Sequence, residues 1–275
     1  MMTNGSKDEI KDLAKRTAEE RTLVVRELAA TSGREAENAL MSIAEQEGDQ
    51  AAIAVLETLN PLEIAKIIKE HDFSIPSATA WLADPLKIAD LLALDPIGWQ
   101  KITADTHEDD IIALQEDAMN LLATILLTTD DEDRQKQVLA ALAENDNSFF
   151  YLCFPFIGQG AVLDLADSSC MDWYANQGLD EEEENPEMKK GVQTNSNYRQ
   201  QLYDLYKLID SLAPELALRM RGLISQQGEE KTAWESVYSS IVELREAALA
   251  KIQSADEKLD EEEYEDMFEK EKKED

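Results

Sequence analysis

Apolar residues recur along this chain at the three- and four-residue intervals of one helix face, and short polar or Gly/Pro breaks interrupt them repeatedly. Residues 7–30 predict a weakly amphipathic surface helix, with Ile10, Leu13, Val24 and Leu28 set among many charges, and Ser32-Gly33 breaks it. A second helix is expected from Glu35 to Glu47 on Leu40, Ile43 and Ala44, stopped by Gly48-Asp49. Residues 50–59 then put Ile53, Leu56 and Leu59 on one face.

After these, one helix start occurs twice. "LNPLEIAKII" (Leu59–Ile68) and "ADPLKIADLL" (Ala83–Leu92) align on their prolines. Asn60 and Asp84 suit the N-cap, where a side-chain oxygen accepts orphan backbone N–H groups. Pro61 and Pro85 follow at the first helical position, where a missing N–H costs nothing. Leu62, Ile64, Ala65, Ile67 and Ile68, like Leu86, Ile88, Ala89, Leu91 and Leu92, form a stripe broad enough for burial on more than one side. "LDPIGWQKI" (Leu94–Ile102) is a candidate third, decayed copy, with Asp95-Pro96 starting another short helix. Short helices with hard restarts suggest a superhelical or right-angled stack rather than a long bundle. A true repeat and two occurrences of a common helix start both fit.

A helix is expected from Glu108 to Thr128 on Ile112, Leu114, Met119, Leu122, Ile125 and Leu126. Thr129 and Glu132 then stand at capping-box spacing before another helix, whose first-turn acids suit the helix dipole. "FFYLCFPFIGQG" (Phe149–Gly160) is the most apolar stretch. It is either a buried core segment or, if exposed, a partner site built on Phe149, Phe150, Phe154 and Phe156. Within it Cys153 fits a small buried hydrophobe. Asp180–Asn197 has no period and reads as an acidic linker or loop. Helical spacing returns at Tyr198, Leu202, Leu205, Ile209 and Leu212, again over Leu216–Ile224, and finally over Glu229–Ser254. The last of these carries a seam at Trp234, Val237, Ile241, Leu244 and Ala248. The implied organisation is a helical stack over 1–179, a linker over 180–197, C-terminal helices over 198–254 and an acidic, disordered tail over 255–275.

Composition sharpens this to an all-α fold, since Gly (10) and Pro (7) are few and good helix formers abound. Charge changes the picture more. The chain has 59 acidic and 26 basic residues, a net charge of −33. Between Asp105 and Glu187 only Arg134 and Lys136 are basic. Such a field repels nucleic-acid phosphates and anionic membranes, and attracts divalent cations and basic proteins. No signal peptide and no membrane-spanning apolar run is visible, and Cys153 and Cys170 have no metal-like spacing. The expectation is a soluble cytoplasmic protein with reduced thiols.

Catalytic chemistry has few candidates. His71 lies near the end of the first repeated helix, where a partly cationic imidazole suits the dipole, and His107 lies in a polar acidic loop. Asp130, Asp131 and Asp133 are the right ligand type for weak Mg²⁺ or Ca²⁺ attraction but lack the order of a calcium loop, and no other cofactor is expected. The tail reads as solvation, as capture of a basic partner or nucleic-acid mimicry, or as a short recognition helix on Leu259, Tyr264, Met267 and Phe268.

The pattern in "LNPLEIAKII" resembles the helical superhelix of the cytosolic N-domain of MgtE-type magnesium transporters. It is also similar to the helical repeats of flagellar motor switch proteins. The resemblance covers about residues 50–102 and implies a superhelical fold with a protein-contact role; no metal ligand carries over. The reading is a non-catalytic cytoplasmic interaction or regulatory protein. Its partner would be a protein, basic if the acidic segments recruit it, with no nucleic acid and no membrane insertion. A divalent-cation-responsive module and an acidic mimic are the alternatives. A metal enzyme has little support, because the Glu-x-x-His pairs of di-iron bundles are missing.

Overall fold

Capping residues divide the chain into helices at the points where its apolar pattern breaks. The computed structural model describes residues 17–71, 75–99, 102–103, 106–157, 196–228 and 237–253, and among them the regular elements are helices, with no strand. Helix α1 (Ala18–Thr31) begins at a capping box in which Thr17 and Glu20 satisfy each other's backbone N–H. Ser32 ends α1 and starts α2 (Gly33–Glu47). Its N–H donates to Leu28, and its hydroxyl accepts from the Glu35 N–H at 3.3 Å. Gly33 cannot be larger, because a Cβ there would sit 2.5 Å from the Lys66 carbonyl oxygen. Gly48, at φ 91°, separates α2 from α3 (Asp49–Leu56).

The two proline-started helices are α4 (Pro61–Lys69) and α6 (Pro85–Leu94), separated by the short α5 (Ala78–Leu82). Asn60 and Glu63 form a capping box, and Asp84 accepts the Leu86 N–H at 2.7 Å. The two stretches share a burial pattern as well as a helix start. From Val55 to Ile68 and from Thr79 to Leu92 the burial pattern agrees at every position but one, where Thr58 is exposed and Leu82 half-buried. Leu62 and Leu86, expected on the buried stripe, are instead exposed in both copies, at 43% and 61%. They occupy the first turn, ahead of the Ile-Ala-x-Ile/Leu-Ile/Leu run that does the packing. The third copy is not an α-helix but a 3₁₀ turn, Asp95–Trp99. Its Asp95 carboxylate is buried and engaged by Lys69 Nζ at 2.5 Å and the Tyr151 hydroxyl at 2.8 Å. That engagement draws the group away from a capping role.

Helix α7 (Glu108–Leu126) follows, then α8 (Glu132–Glu144), α9 (Asp146–Cys153) and a 3₁₀ turn, Phe154–Phe156. The N-cap of α8 is Asp131, accepting from the Arg134 N–H, so the expected Thr129/Glu132 capping box is corrected by two residues. The aromatic run lies inside: Phe149, Tyr151, Phe154, Phe156 and Ile157 are buried, and Phe150 is half-buried. The expectation of a partner patch on Phe149, Phe154 and Phe156 is therefore corrected. Trp99 packs on Tyr151 and Phe154 with ring centroids 5.7 and 5.0 Å away. Gln115, buried on α7, donates to the carbonyls of Phe154 and Ile157 where the 3₁₀ turn ends.

Helices α10 (Ser196–Leu212) and α11 (Pro214–Gly228) form a hairpin, with α10 against α7 and α8. Helix α12 spans 237–253 and buries Val237, Ile241, Leu244 and Ala248 of the expected seam, whose Trp234 lies outside the described residues. Arg245 ties it to the Ile102 carbonyl, and Lys251 pairs with Asp90 on α6. One contiguous buried cluster runs from Val25 on α1 to Leu244 on α12. The fold is all-α, a stack of mostly short helices. The last two residues of the expected linker over 180–197 begin α10, and the rest of it, with the tail over 255–275 and its Tyr264, Met267 and Phe268, lies outside the described residues.

Candidate functional site

A chain so poor in cations places several of them over the C-termini of neighbouring helices. Lys66 Nζ donates to the Ala30 carbonyl at the end of α1, at 2.6 Å. Lys87 Nζ donates to Leu56, at 3.0 Å, and to Leu59, at 2.9 Å, around the end of α3. Arg134 donates to Ala80 and Ala83 at the end of α5. Arg219 donates to Ala143 at the end of α8, pairs with Asp146 and covers the Phe149 ring 3.8 Å from its centroid. Each meets carbonyls at a helix end and the negative end of a helix dipole at once.

The N-terminus of α5 is held from the opposite side. Glu37 on α2 is 1% exposed, and its carboxylate accepts from the Ser77 hydroxyl, the Ala78 and Thr79 N–H groups and the Thr79 hydroxyl. His71 is also buried there. Its Nε2 donates to the Ile75 carbonyl at 2.9 Å, and its Nδ1 lies 3.8 Å from Glu37. His71, expected to act at the end of the first repeated helix, is a buried tie between α4 and the approach to α5. His107, expected to be solvated, is exposed and caps α7 through Nδ1.

A groove lies beside α5. A cavity of about 400 Å³ lies between α5 and the C-terminal end of α7, lined by Pro76, Ala80 and Trp81 on one side and Ile125, Thr128 and Asp130 on the other. Trp81 remains 46% exposed and Ile75, next to Pro76, 49%. The Thr128 hydroxyl donates to the Thr124 carbonyl at 2.7 Å, so the wall keeps its own backbone satisfied. An exposed indole beside an apolar trough is the anatomy of a contact anchor.

The electrostatics around this groove are acidic. Asp130 lines it, and Asp131 begins α8 next to it. Burial lowers the Arg134 guanidinium from its ordinary value, opposed by the charges of Asp84 and Asp131. Asp130, Asp131 and Asp133 are all exposed; Asp131 is committed to capping. Among the described residues no three His, Cys, Asp or Glu side chains converge to hold a metal ion. A second, shallower cavity of about 700 Å³ is lined by Asp146, Phe149, Phe150, Arg219, Leu223 and Glu243. It retains the two residues of the aromatic run nearest the surface. Cys153 is buried, its thiol pushed up to about 12 by burial and drawn back by Arg219.

Sequence reasoning missed Glu37 and Trp81. A glutamate in the middle of an otherwise apolar face (Gly33, Ala36, Ala39, Leu40) was the available signal for the first. For Trp81 the signal is repeat position, since it corresponds to Glu57, which is exposed in the first copy.

Two family models match the chain, that of the AtcB N-terminal domain over residues 10–82 and that of the AtcB C-terminal domain over residues 85–251. The groove lies where these segments meet, α5 in the first and α7 in the second. The chain is similar to Adaptation to cold protein B of Shewanella oneidensis, with 26% identity over 250 residues, covering 89% of this chain and 94% of that protein. No solved structure matches it.

Proposed function

The chain belongs to the AtcB family, and from that premise we propose that it is a non-catalytic interaction or regulatory protein that serves adaptation to cold. The observation that carries this is the α5/α7 groove, where Trp81 and Ile75 stand about half exposed on a scaffold fixed by buried hydrogen bonds. Rigid aromatic anchors over pre-formed troughs are how protein interfaces concentrate their binding energy. The chain has two histidines, and both do structural work: His71 bonds the Ile75 carbonyl and His107 caps α7. The cold-adaptation part comes from the name of the relative.

Complementation of a deletion strain tests both parts. The deletion is expected to grow normally at the optimal temperature and poorly in the cold. Wild type should restore growth, and Trp81→Ala, at matched abundance and melting temperature, should not. A deletion with no cold defect would remove the cold-adaptation role. Full rescue by Trp81→Ala would remove the groove.

A further inference from the structure

We propose that the α5/α7 groove receives a segment of a partner protein that pairs an apolar side chain with a Lys or Arg. This rests on the groove being the contact site, and it names the chemistry of the occupant. The trough of about 400 Å³ has an apolar side formed by Pro76, Ala80, Ile125 and the indole of Trp81, which suits an apolar side chain, and a polar side of threonines and Asp130. A cation belongs beside it for three separate reasons. Trp81 is 46% exposed, and an indole face is the best aromatic surface for a Lys or Arg. The wall is the C-terminal end of α7, Thr124 to Thr128, where the helix dipole is negative. The rim adds Asp130, with Asp131 beginning the next helix. Arg134, on the first turn of α8, is turned to the carbonyls of Ala80 and Ala83. An acidic or purely apolar segment would leave this field unanswered.

The charge of −33 makes weak attraction of any cationic peptide certain, so the test compares positions. Full-length protein is titrated, at physiological salt, with a short fluorescent amphipathic Leu/Lys peptide and with its Leu/Glu counterpart. The Leu/Lys peptide should bind wild type, lose about tenfold in affinity with Trp81→Ala and severalfold with Asp130→Asn. Glu144→Gln, an exposed acid on α8, should change nothing. The Leu/Glu peptide should not bind. Equal losses for Trp81→Ala and Glu144→Gln would reduce the binding to net charge and overturn the proposal. So would binding of the Leu/Glu peptide with the same Trp81 dependence. Either result, with Trp81 still required for growth in the cold, would leave the groove as the contact site with a different occupant.

Discussion

Lys87 Nζ donates to the Leu59 carbonyl, so the second proline-started helix closes the chain just ahead of the first. The same ammonium also takes Leu56 and Glu57, which makes it the cap of α3. Lys87→Met keeps the stem and removes the donors, and should cost about 1–3 kcal/mol. Urea denaturation reads this directly. Lys87→Arg should recover part of the loss, and an unchanged midpoint for Lys87→Met would show that water satisfies these carbonyls equally well.

Glu37 gathers four donors from α5 into one buried carboxylate. Glu37→Ala leaves the Ser77 and Thr79 hydroxyls and two N–H groups without their acceptor, at an expected cost of about 2–4 kcal/mol. Glu37→Gln keeps one acceptor oxygen and should fall between. Because α5 carries Trp81, hydrogen exchange over Ser77–Leu82 should quicken in Glu37→Ala more than exchange over α8. Uniform quickening would mean that the carboxylate supports the whole fold rather than this wall.

The two special glycines fail differently. Gly33→Ala drives a methyl against the α4 backbone at Lys66 and Ile67, which cannot swing aside, for an expected loss of about 1–3 kcal/mol. Gly48→Ala meets nothing within 4 Å but must hold φ near 91°, a conformation that costs an L-residue about 1–3 kcal/mol. Gly48→Asn, which tolerates positive φ better, should recover part of that loss, whereas Gly33 has no tolerated replacement. Calorimetric melting of the three variants separates close approach from backbone strain.

Helix positions were legible because their signals are local: Asn60-Pro61, Asp84-Pro85, Ser32-Gly33 and Gly48 all mark real boundaries. Faces were less so. At the start of α7 the buried residues are Ile111 and Gln115 rather than Ile112, and the Gln115 amide is bonded to the Phe154 and Ile157 carbonyls. In α3, Ala52 and Val55 pack inward beside Leu56, and Ile53 only partly so. The groove was invisible for a related reason. Its α5 wall is held at the two ends by Glu37 and Arg134, about a hundred residues apart in sequence, and no pattern within either segment records that.

Cys153 should be inert in the folded protein. Its thiol is buried and pushed up to about 12, so almost no thiolate exists near neutral pH. In a Cys170→Ser background, a thiol reagent at pH 8 should react at the rate of global unfolding and promptly in denaturant. Rapid labelling of the native protein would show that the segment around Phe149–Ile157 opens locally.

Tyr151 links the fold to alkaline pH. Burial raises its phenol well above 10, helped by the charge of Asp95 and the hydrogen bond to it. A folded value above the unfolded one, about 10, means that the native state holds this proton more tightly. The contribution is therefore complete below about pH 10 and is lost as pH rises through the folded value. Tyr151→Phe removes both the hydrogen bond and the titration. At neutral pH the variant should be less stable by about 1–2 kcal/mol, because Asp95 keeps only Lys69. As pH climbs past 10 the wild-type stability should fall toward that of the variant, so the two pH–stability curves converge. Parallel curves would place the alkaline loss elsewhere, with Tyr198 the next group to vary, its phenol also raised by burial and its hydroxyl bonded to the Pro155 carbonyl.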